Sequence, residues 1–195
     1  MSDKSTQKKE YIISKARNVF VEKGYSTVTM KDIVDACEIS RGGLYLYFGS
    51  TSDLFLAVLK KETEESDDLF SSKITDKTTP INIFMIFLKE QKKELLRRKD
   101  SLGAAIYEYF FSTKFAKKEN LLGRQFTAAV KVLEKLITAC NETGDFCCEN
   151  PHEAARNIMY VIEGLKIMAQ TVGLSESEVD REFIYILKNL AVDEE

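Results

Sequence analysis

The sequence contains no tryptophan, one histidine, two prolines and four cysteines among its 195 residues. No nucleophile and base pair, phosphate-binding loop or metal-ligand cluster is evident, so an enzyme is not expected. The single histidine, His152, is expected in the first turn of a helix. No apolar run reaches the roughly 18 residues of a membrane span. The polar first residues lack the apolar segment of a secretory signal, so a cytoplasmic protein that does not bind membranes is predicted.

The four cysteines are too few and too unevenly spaced for a disulfide scaffold, and a reducing cytoplasm would keep them as thiols. Cys140, Cys147 and Cys148 lie near His152 in the sequence, so a zinc site or a thiol sensor is an alternative reading. Adjacent cysteines rarely chelate one ion, and the spacing is irregular. No metal and no cofactor is therefore predicted.

Charge is distributed unevenly along the chain, whose net charge is −3. The first 50 residues hold eight Lys or Arg against six Asp or Glu, so this segment carries +2 and the remainder −5. A weakly positive segment in an acidic protein indicates an anionic partner for the N-terminus.

Apolar periodicity predicts helices throughout, because turn signals are few and no alternating strand pattern occurs. The first helix closes at Gly24, and a long helix opens with Ser50 and runs to about Ser72. Short helices are expected after the N-caps Thr29 and Ser40, and prolines with the N-caps Asn150 and Ser175 mark further helix starts. These later helices are expected near 80–98, 101–116, 119–142, 151–172 and 176–193. The predicted fold class is all-α, with about nine helices.

Two short helices joined by the tight turn Glu38-Ile39-Ser40 form a helix-turn-helix at residues 29–48, whose sequence is TMKDIVDACEISRGGLYLYF. This segment resembles the signature of TetR family regulators, in which it reads the operator. The resemblance covers about the first 55 residues closely, and beyond them it rests on length and helix order. It implies a three-helix DNA-binding domain over 1–50 and a helical effector-binding and dimerisation domain over 51–195.

The reading helix must begin with small or polar residues if its backbone is to approach the DNA. Arg41 at its start can pair with a guanine edge or a phosphate, and Lys31 at the start of the preceding helix can contact phosphate. Lys8, Lys9 and Lys15 would add salt-sensitive attraction. The residues expected to contact DNA are Thr29, Lys31, Ser40, Arg41, Gly42, Gly43, Tyr45 and Tyr47.

Two positions depart from the family pattern. Glu38 stands where the family usually has glycine in the turn, so a left-handed backbone there would cost roughly 1 kcal/mol. Gly49 and its neighbours stand where the family has a lysine after Phe48. The usual lysine contact with phosphate is therefore missing, and modest DNA affinity is expected.

Aromatic residues crowd the middle of the chain, and the resemblance implies an effector cavity there. The predicted ligand-binding residues are Phe84, Phe87, Tyr107, Phe110, Phe111, Phe126 and Asn157. Glu108, Gln125 and Lys166 are further polar candidates for this cavity. The resemblance also implies that the last two helices form a four-helix dimer interface. The residues predicted for it are Ala154, Ile158, Ile162, Leu165, Phe183, Ile186, Leu187 and Leu190.

The predicted function is a DNA-binding repressor that recognises a palindromic operator as a homodimer. A small, largely apolar effector would release it by tilting the long helix and changing the separation of the two reading heads. Two alternatives stay open. One is a regulator that senses thiol chemistry or metal through Cys140, Cys147 and Cys148, and the other is an interaction protein that kept the fold but does not bind DNA.

Overall fold

The computed structural model describes residues 3–97, 100–112 and 120–191, and within these ranges it contains nine α-helices and no strand. The all-α prediction and the number of helices are confirmed. The helices are α1 (Asp3–Lys23), α2 (Met30–Cys37), α3 (Arg41–Tyr45), α4 (Thr51–Ser71), α5 (Pro80–Leu95), α6 (Gly103–Ser112), α7 (Leu121–Glu142), α8 (Pro151–Thr171) and α9 (Glu176–Lys188).

Local capping explains most of these boundaries. Gly24, at φ 74°, ends α1 and donates its N–H to the Phe20 carbonyl at 2.9 Å. Asn150 caps α8 by accepting from the Glu153 N–H, and Ser175 opens α9 with a reciprocal capping box. Two helices end earlier than predicted. α5 ends at Leu95 instead of near residue 98, and α9 ends at Lys188 instead of near residue 193.

The chain forms two compact units, and the first comprises the described residues of 3–69 and 100–112. Its core is an aromatic cluster in which the Phe20 and Phe55 rings lie 4.7 Å apart and the Tyr25 and Tyr109 rings 4.7 Å apart. Phe20 belongs to α1, Phe55 to α4 and Tyr109 to α6. The cluster therefore fixes α4 and α6 against the N-terminal helices.

The second unit comprises the described residues of 70–97 and 120–191. Its core is built by α5, α7, α8 and α9, with Phe84, Ile137 and Ile162 fully buried at its centre. At the surface, Lys92 of α5 pairs with Glu176 at 2.8 Å and Asp180 at 2.6 Å on α9.

Packing in the first unit extends past residue 50, which is the predicted boundary between the DNA-binding domain and the effector-binding domain. Most of α4 and all of α6 pack with α1–α3. That residues 1–50 form the DNA-binding domain stays a prediction. The compact unit that contains this segment is larger than the segment itself. None of the helices in the described ranges has the length and apolar character needed to cross a membrane.

Candidate nucleic-acid interface

The helix-turn-helix is formed by α2, a three-residue turn and α3. Glu38 lies at the C-terminal cap of α2 in the left-handed region, with φ 52° and ψ 42°. Its N–H donates to the Asp35 carbonyl at 3.3 Å, and the N–H of Ile39 donates to Val34 at 3.3 Å. The turn thus adopts the geometry that favours glycine, with glutamate accepting the strain.

The start of α3 is exposed and small. Ser40 caps the helix, because its hydroxyl oxygen accepts from the Gly43 N–H at 3.1 Å. A methyl group built on Gly42 would meet no atom within 4 Å, whereas one on Gly43 would come within 3.1 Å of the Ser40 hydroxyl. Gly42 therefore leaves open surface on the side that a DNA backbone would approach, and Gly43 serves the cap.

Arg41 is exposed at the first position of α3, and its guanidinium lies 5.5 Å from the Tyr45 ring centroid. The four-residue spacing places both side chains on one helix face. Tyr45 is 42% exposed and Tyr47 is half-buried, so the two tyrosines differ in what they can offer. The ring of Tyr45 holds the arginine fork near the leading end of the reading helix.

Thr29 and Lys31 are both exposed at the start of α2. The Thr29 N–H donates to the Asp32 carboxylate at 2.8 Å, and Lys23 donates to the same carboxylate at 2.6 Å. These hydrogen bonds, that to Lys23 first, hold the pKa of Asp32 well below its usual range. The Thr29 hydroxyl also donates to Asp32, so Lys31 and the helix amides are the freer phosphate donors.

The segment ahead of α2 is anchored by contacts that the sequence analysis did not predict. Glu108 of α6 accepts hydrogen bonds from the Ser26 N–H at 2.8 Å and the Ser26 hydroxyl at 2.9 Å. The hydroxyls of Ser52 and Tyr109 lie 3.1 Å apart. Because these partners are 82 and 57 residues apart in the chain, no local pattern signals them. Glu108 therefore holds the loop that leads into α2.

The residues predicted to line an effector cavity are divided between the two units. Tyr107, Phe110 and Phe111 belong to the first unit, and the remaining four belong to the second. The remaining four are Phe84, which is fully buried, Phe87 and Phe126, which are half-buried, and Asn157, which is exposed. Phe111 is 80% exposed.

The three additional polar candidates for that cavity differ in their surroundings. Glu108 binds Ser26, and Lys166 pairs with Glu163 at 2.8 Å. Gln125 is exposed. That any of these residues contacts an effector stays a prediction.

The eight residues predicted for the dimer interface stay a prediction, and the structure shows how each packs within its own chain. Five of the eight are already buried in the core of their own chain, at 0% to 7% exposure: Ile158, Ile162, Phe183, Ile186 and Leu190. Ala154, Leu165 and Leu187 are partly buried against the same core. These side chains contribute to the core of their own chain, because α5 and α7 pack against the inner faces of α8 and α9.

A different set of large apolar side chains lies on the outer faces of α8 and α9 and at the C-terminal cap of α8, each 42% to 72% exposed. The set consists of Tyr160, Ile167, Met168, Val172, Ile184 and Tyr185. On α8, Ile167 and Met168 follow Tyr160 by seven and eight residues, a spacing that places the three side chains on one face of the helix. This spacing is the sequence signal from which a second apolar face could have been predicted.

The cysteines do not form the cluster that the metal-sensing alternative requires. Cys140 is fully buried, and burial raises the pKa of its thiol to about 11. Cys147 is exposed and Cys148 is half-buried. Among the residues that the structure describes, no three His, Cys, Asp or Glu side chains are grouped so as to hold a metal ion.

The two short capped helices, with an exposed arginine and lysine at their leading ends, define a helix-turn-helix protein of the DNA-binding class. Comparison with known families then gives the particular family. Residues 12–58 match the model of bacterial regulatory proteins of the tetR family, and residues 83–180 match the tetracyclin repressor-like C-terminal domain. The chain belongs to the TetR family. It is a DNA-binding transcriptional regulator, and the family is not enzymatic.

Individual relatives agree with this assignment. The chain is 26% identical over 136 residues to the HTH-type transcriptional regulator YfiR of Bacillus subtilis, covering 69% of this chain and 66% of that protein. It is 22% identical over 170 residues to the HTH-type transcriptional regulator QacR of Staphylococcus aureus, covering 86% and 89%. The chain thus spans just under two thirds of the first relative and most of the second.

A solved structure shares the fold. The crystal structure of AibR in complex with isovaleryl coenzyme A and operator DNA superposes with a TM-score of 0.67 at 16% identity. The superposition covers 94% of this chain and 99% of that one. The likeness extends over both compact units.

Proposed function

We propose that this chain is a cytoplasmic repressor that binds a palindromic operator as a homodimer and is released by a small, largely apolar effector. The observation that carries the proposal is the leading end of α3, where Arg41 is exposed beside the open backbone of Gly42. An arginine in that place can pair with the O6 and N7 atoms of guanine in the major groove. Lys31 and the amides at the start of α2 bind phosphate and set the register of the helix on DNA.

A homodimer is supported by the exposed apolar set on α8 and α9. A monomer that left these six side chains in water would forgo apolar burial worth about 25 cal/mol per Å². Gly164 lies on the same side of α8 as Tyr160, and a methyl group built on it would meet no atom within 4 Å. A second copy related by a two-fold axis can therefore approach α8 closely, and it would present two reading helices to half-sites about 34 Å apart.

The effector is proposed by analogy and by composition. AibR, which shares the fold, was crystallised with isovaleryl coenzyme A as well as operator DNA. In this chain the half-buried Tyr107 and Phe110 on α6 belong to the helix whose Glu108 and Tyr109 hold the DNA-reading unit. An effector that shifts α6 would act on the loop ahead of α2, and a coupling of roughly 1 to 3 kcal/mol would suffice for release.

The first test is selection of DNA from a random pool with the purified protein, followed by measurement of affinity for the selected sequence against salt concentration. A palindromic sequence and a steep fall of affinity with salt are expected. Arg41→Ala should reduce the preference for that sequence over a scrambled duplex by about 1 to 3 kcal/mol. Lys31→Ala should weaken both duplexes alike and leave their ratio unchanged.

As a control for folding, each variant must retain the helical content and the thermal midpoint of wild type. If no sequence is enriched even at low salt, the repressor proposal is wrong. The alternative of an interaction protein without DNA binding would then be favoured. If a sequence is enriched but Arg41→Ala keeps the same preference, α3 is not the reading element.

A further inference from the structure

An exposed basic face runs along the first half of α1. Lys4, Lys8, Tyr11 and Lys15 follow one another at intervals of four, three and four residues, so they lie on one side of the helix. All four are exposed, and none of the three lysines forms an ion pair with any residue that the structure describes. We refer to Lys4, Lys8 and Lys15 as the α1 lysine face.

This face lies beside the helix-turn-helix. The Tyr11 hydroxyl donates to the carbonyl of Cys37, the last residue of α2, at 3.4 Å. The Lys15 ammonium lies 5.7 Å from the Tyr11 ring centroid. Two residues before Tyr11, the Lys9 ammonium lies 5.7 Å from the ring centroid of Phe48, three residues after the end of α3. These contacts place the first half of α1 next to the C-terminal end of α2 and next to the residues that follow α3.

Charge on α1 is segregated in a way that keeps this face positive. Glu10 is the only acid between residues 4 and 15, and its carboxylate accepts from Lys61 of α4 at 2.6 Å. Arg17, on the same side as Glu10, pairs with Glu62 of α4 at 2.6 Å. The ion pairs of Glu10 and Arg17 therefore lie toward α4, whereas Tyr11, on the same side of α1 as the unpaired lysines, contacts the end of α2.

Lys4 and Lys8 precede residue 12, where the match to the family model begins. The match therefore assigns them no role. Lysines beside a DNA-reading helix can bind the DNA backbone, because a duplex carries closely spaced phosphates on both sides of the groove.

We propose that the α1 lysine face binds the phosphates that flank the base pairs read by α3, and so lengthens the operator contact in each half-site. This inference rests on the proposed repressor function. From Lys4 to Lys15 the helix rises about 16 Å, at 1.5 Å per residue. That length corresponds to about five phosphates of one strand, at 3.4 Å each along the helix axis. Three lysines can thus contact up to three phosphates.

The test is the triple variant Lys4→Gln, Lys8→Gln, Lys15→Gln, measured on the selected operator between 50 and 200 mM salt. Each lost phosphate contact should reduce the slope of log affinity against log salt by about 0.9. Per half-site, wild type should therefore lose about 40-fold more affinity than the variant over that range. The variant should keep the wild-type preference for operator over a scrambled duplex.

A second arm uses duplex length. Wild type should bind an operator with several additional base pairs at each end more tightly than one trimmed to the outer edge of the half-sites. The triple variant should bind both equally. The corresponding Lys→Arg triple variant should restore the wild-type slope, because it restores the positive charges.

The matched control is Lys77→Gln, Lys131→Gln, Lys135→Gln, which removes the same charge from exposed lysines of the second unit. This control should leave the slope unchanged. If the α1 variant and the control both have the wild-type slope while Arg41→Ala still loses sequence preference, the α1 lysine face does not bind phosphate. The proposed repressor function is then unaffected. If wild type selects no DNA, both proposals are overturned.

Discussion

Glu38 accepts a left-handed backbone at the turn between α2 and α3, with φ 52°. Glycine adopts this conformation without a Cβ penalty, so Glu38→Gly should raise the free energy of unfolding by about 1 kcal/mol. It should also tighten operator binding, because one carboxylate is removed near the phosphates. Urea denaturation and DNA titration measure the two effects separately.

Glu38→Gln separates charge from backbone strain in that experiment. It removes the carboxylate but keeps the Cβ, so it should tighten DNA binding without raising stability. Equal stability of the Gly and Gln variants would show that the turn is not strained by a side chain.

Asp32 links stability to acid pH. Its pKa in the folded chain is lowered by Lys23 and Thr29, so its contribution is complete above the unfolded value of about 3.9 and is lost as pH falls further. Wild type should therefore lose stability more steeply below about pH 4 than Asp32→Asn does. Thermal midpoints between pH 7 and pH 3 measure the difference.

Asp35 provides the control for that series, since it is an exposed acid on the same helix. Asp35→Asn should retain the steep acid loss of wild type. If Asp32→Asn also retains it, the hydrogen bonds of the α2 capping box do not supply this pH dependence.

At the scale of elements, α6 and the end of α1 are coupled through Gly24 and Glu108. A methyl group on Gly24 would lie 2.6 Å and 2.7 Å from the two Glu108 carboxylate oxygens, and φ there is +74°. Gly24→Ala therefore suffers backbone strain and a clash, and it should destabilise the chain by about 1 to 2 kcal/mol. In a Glu108→Ala background the strain stays and the clash is relieved. A double-mutant cycle by urea denaturation should give a coupling of at least about 0.5 kcal/mol.

Additive effects in that cycle would contradict the contact between Gly24 and Glu108. Ala104→Ser is a suitable control, because this residue is an exposed position of α6. It should be additive with Gly24→Ala. The cycle thus tests whether α6 holds the loop ahead of α2.

Sequence patterns predicted the elements better than the way they pack. Thr29, Ser40, Asn150 and Ser175 were correctly placed as helix caps, because a cap is formed within four residues of the chain. The helix-turn-helix was likewise predicted, since its residues are contiguous. The anchoring of α6 by Glu108 was not, because its partner Ser26 lies 82 residues away.

The residues predicted for the dimer interface, which stay a prediction, illustrate the same difference between element and packing. The inner apolar stripe of α8, which includes Ile158 and Ile162, has the helical spacing of any buried face. Periodicity shows that the stripe is covered, and it does not show whether the cover comes from the same chain or from a partner. In the structure that stripe packs into the chain's own core, and outer residues such as Tyr160 are exposed.

For the whole molecule, the proposed homodimer is tested by placing a charge on the outer face of α9. Ile184→Asp should convert the dimer to a monomer, because an unpaired carboxylate would have to be buried at the interface. Sedimentation should show the 22.2 kDa chain in place of a species of twice that mass. Operator affinity should fall at least tenfold with it, since a monomer engages a single half-site.

Val132→Asp is the matched control for the assembly, since Val132 is 64% exposed on α7 and is outside the α8 and α9 set. It should leave the dimer intact. Dissociation by Val132→Asp and not by Ile184→Asp would place the interface on α7 instead.

Arg17 of α1 has a consequence for the synthesis of the chain on the ribosome. Its guanidinium pairs with Glu62 and also donates to the Asp100 carbonyl at 2.8 Å, so the first unit is completed by residues that are translated late. At about 5 to 20 residues per second, the ribosome adds the stretch from Leu69 to Ser112 in roughly 2 to 9 s. During that interval the nascent reading head lacks Glu108 and Tyr109, and it completes its fold only after all of α5, which belongs to the second unit, has been translated.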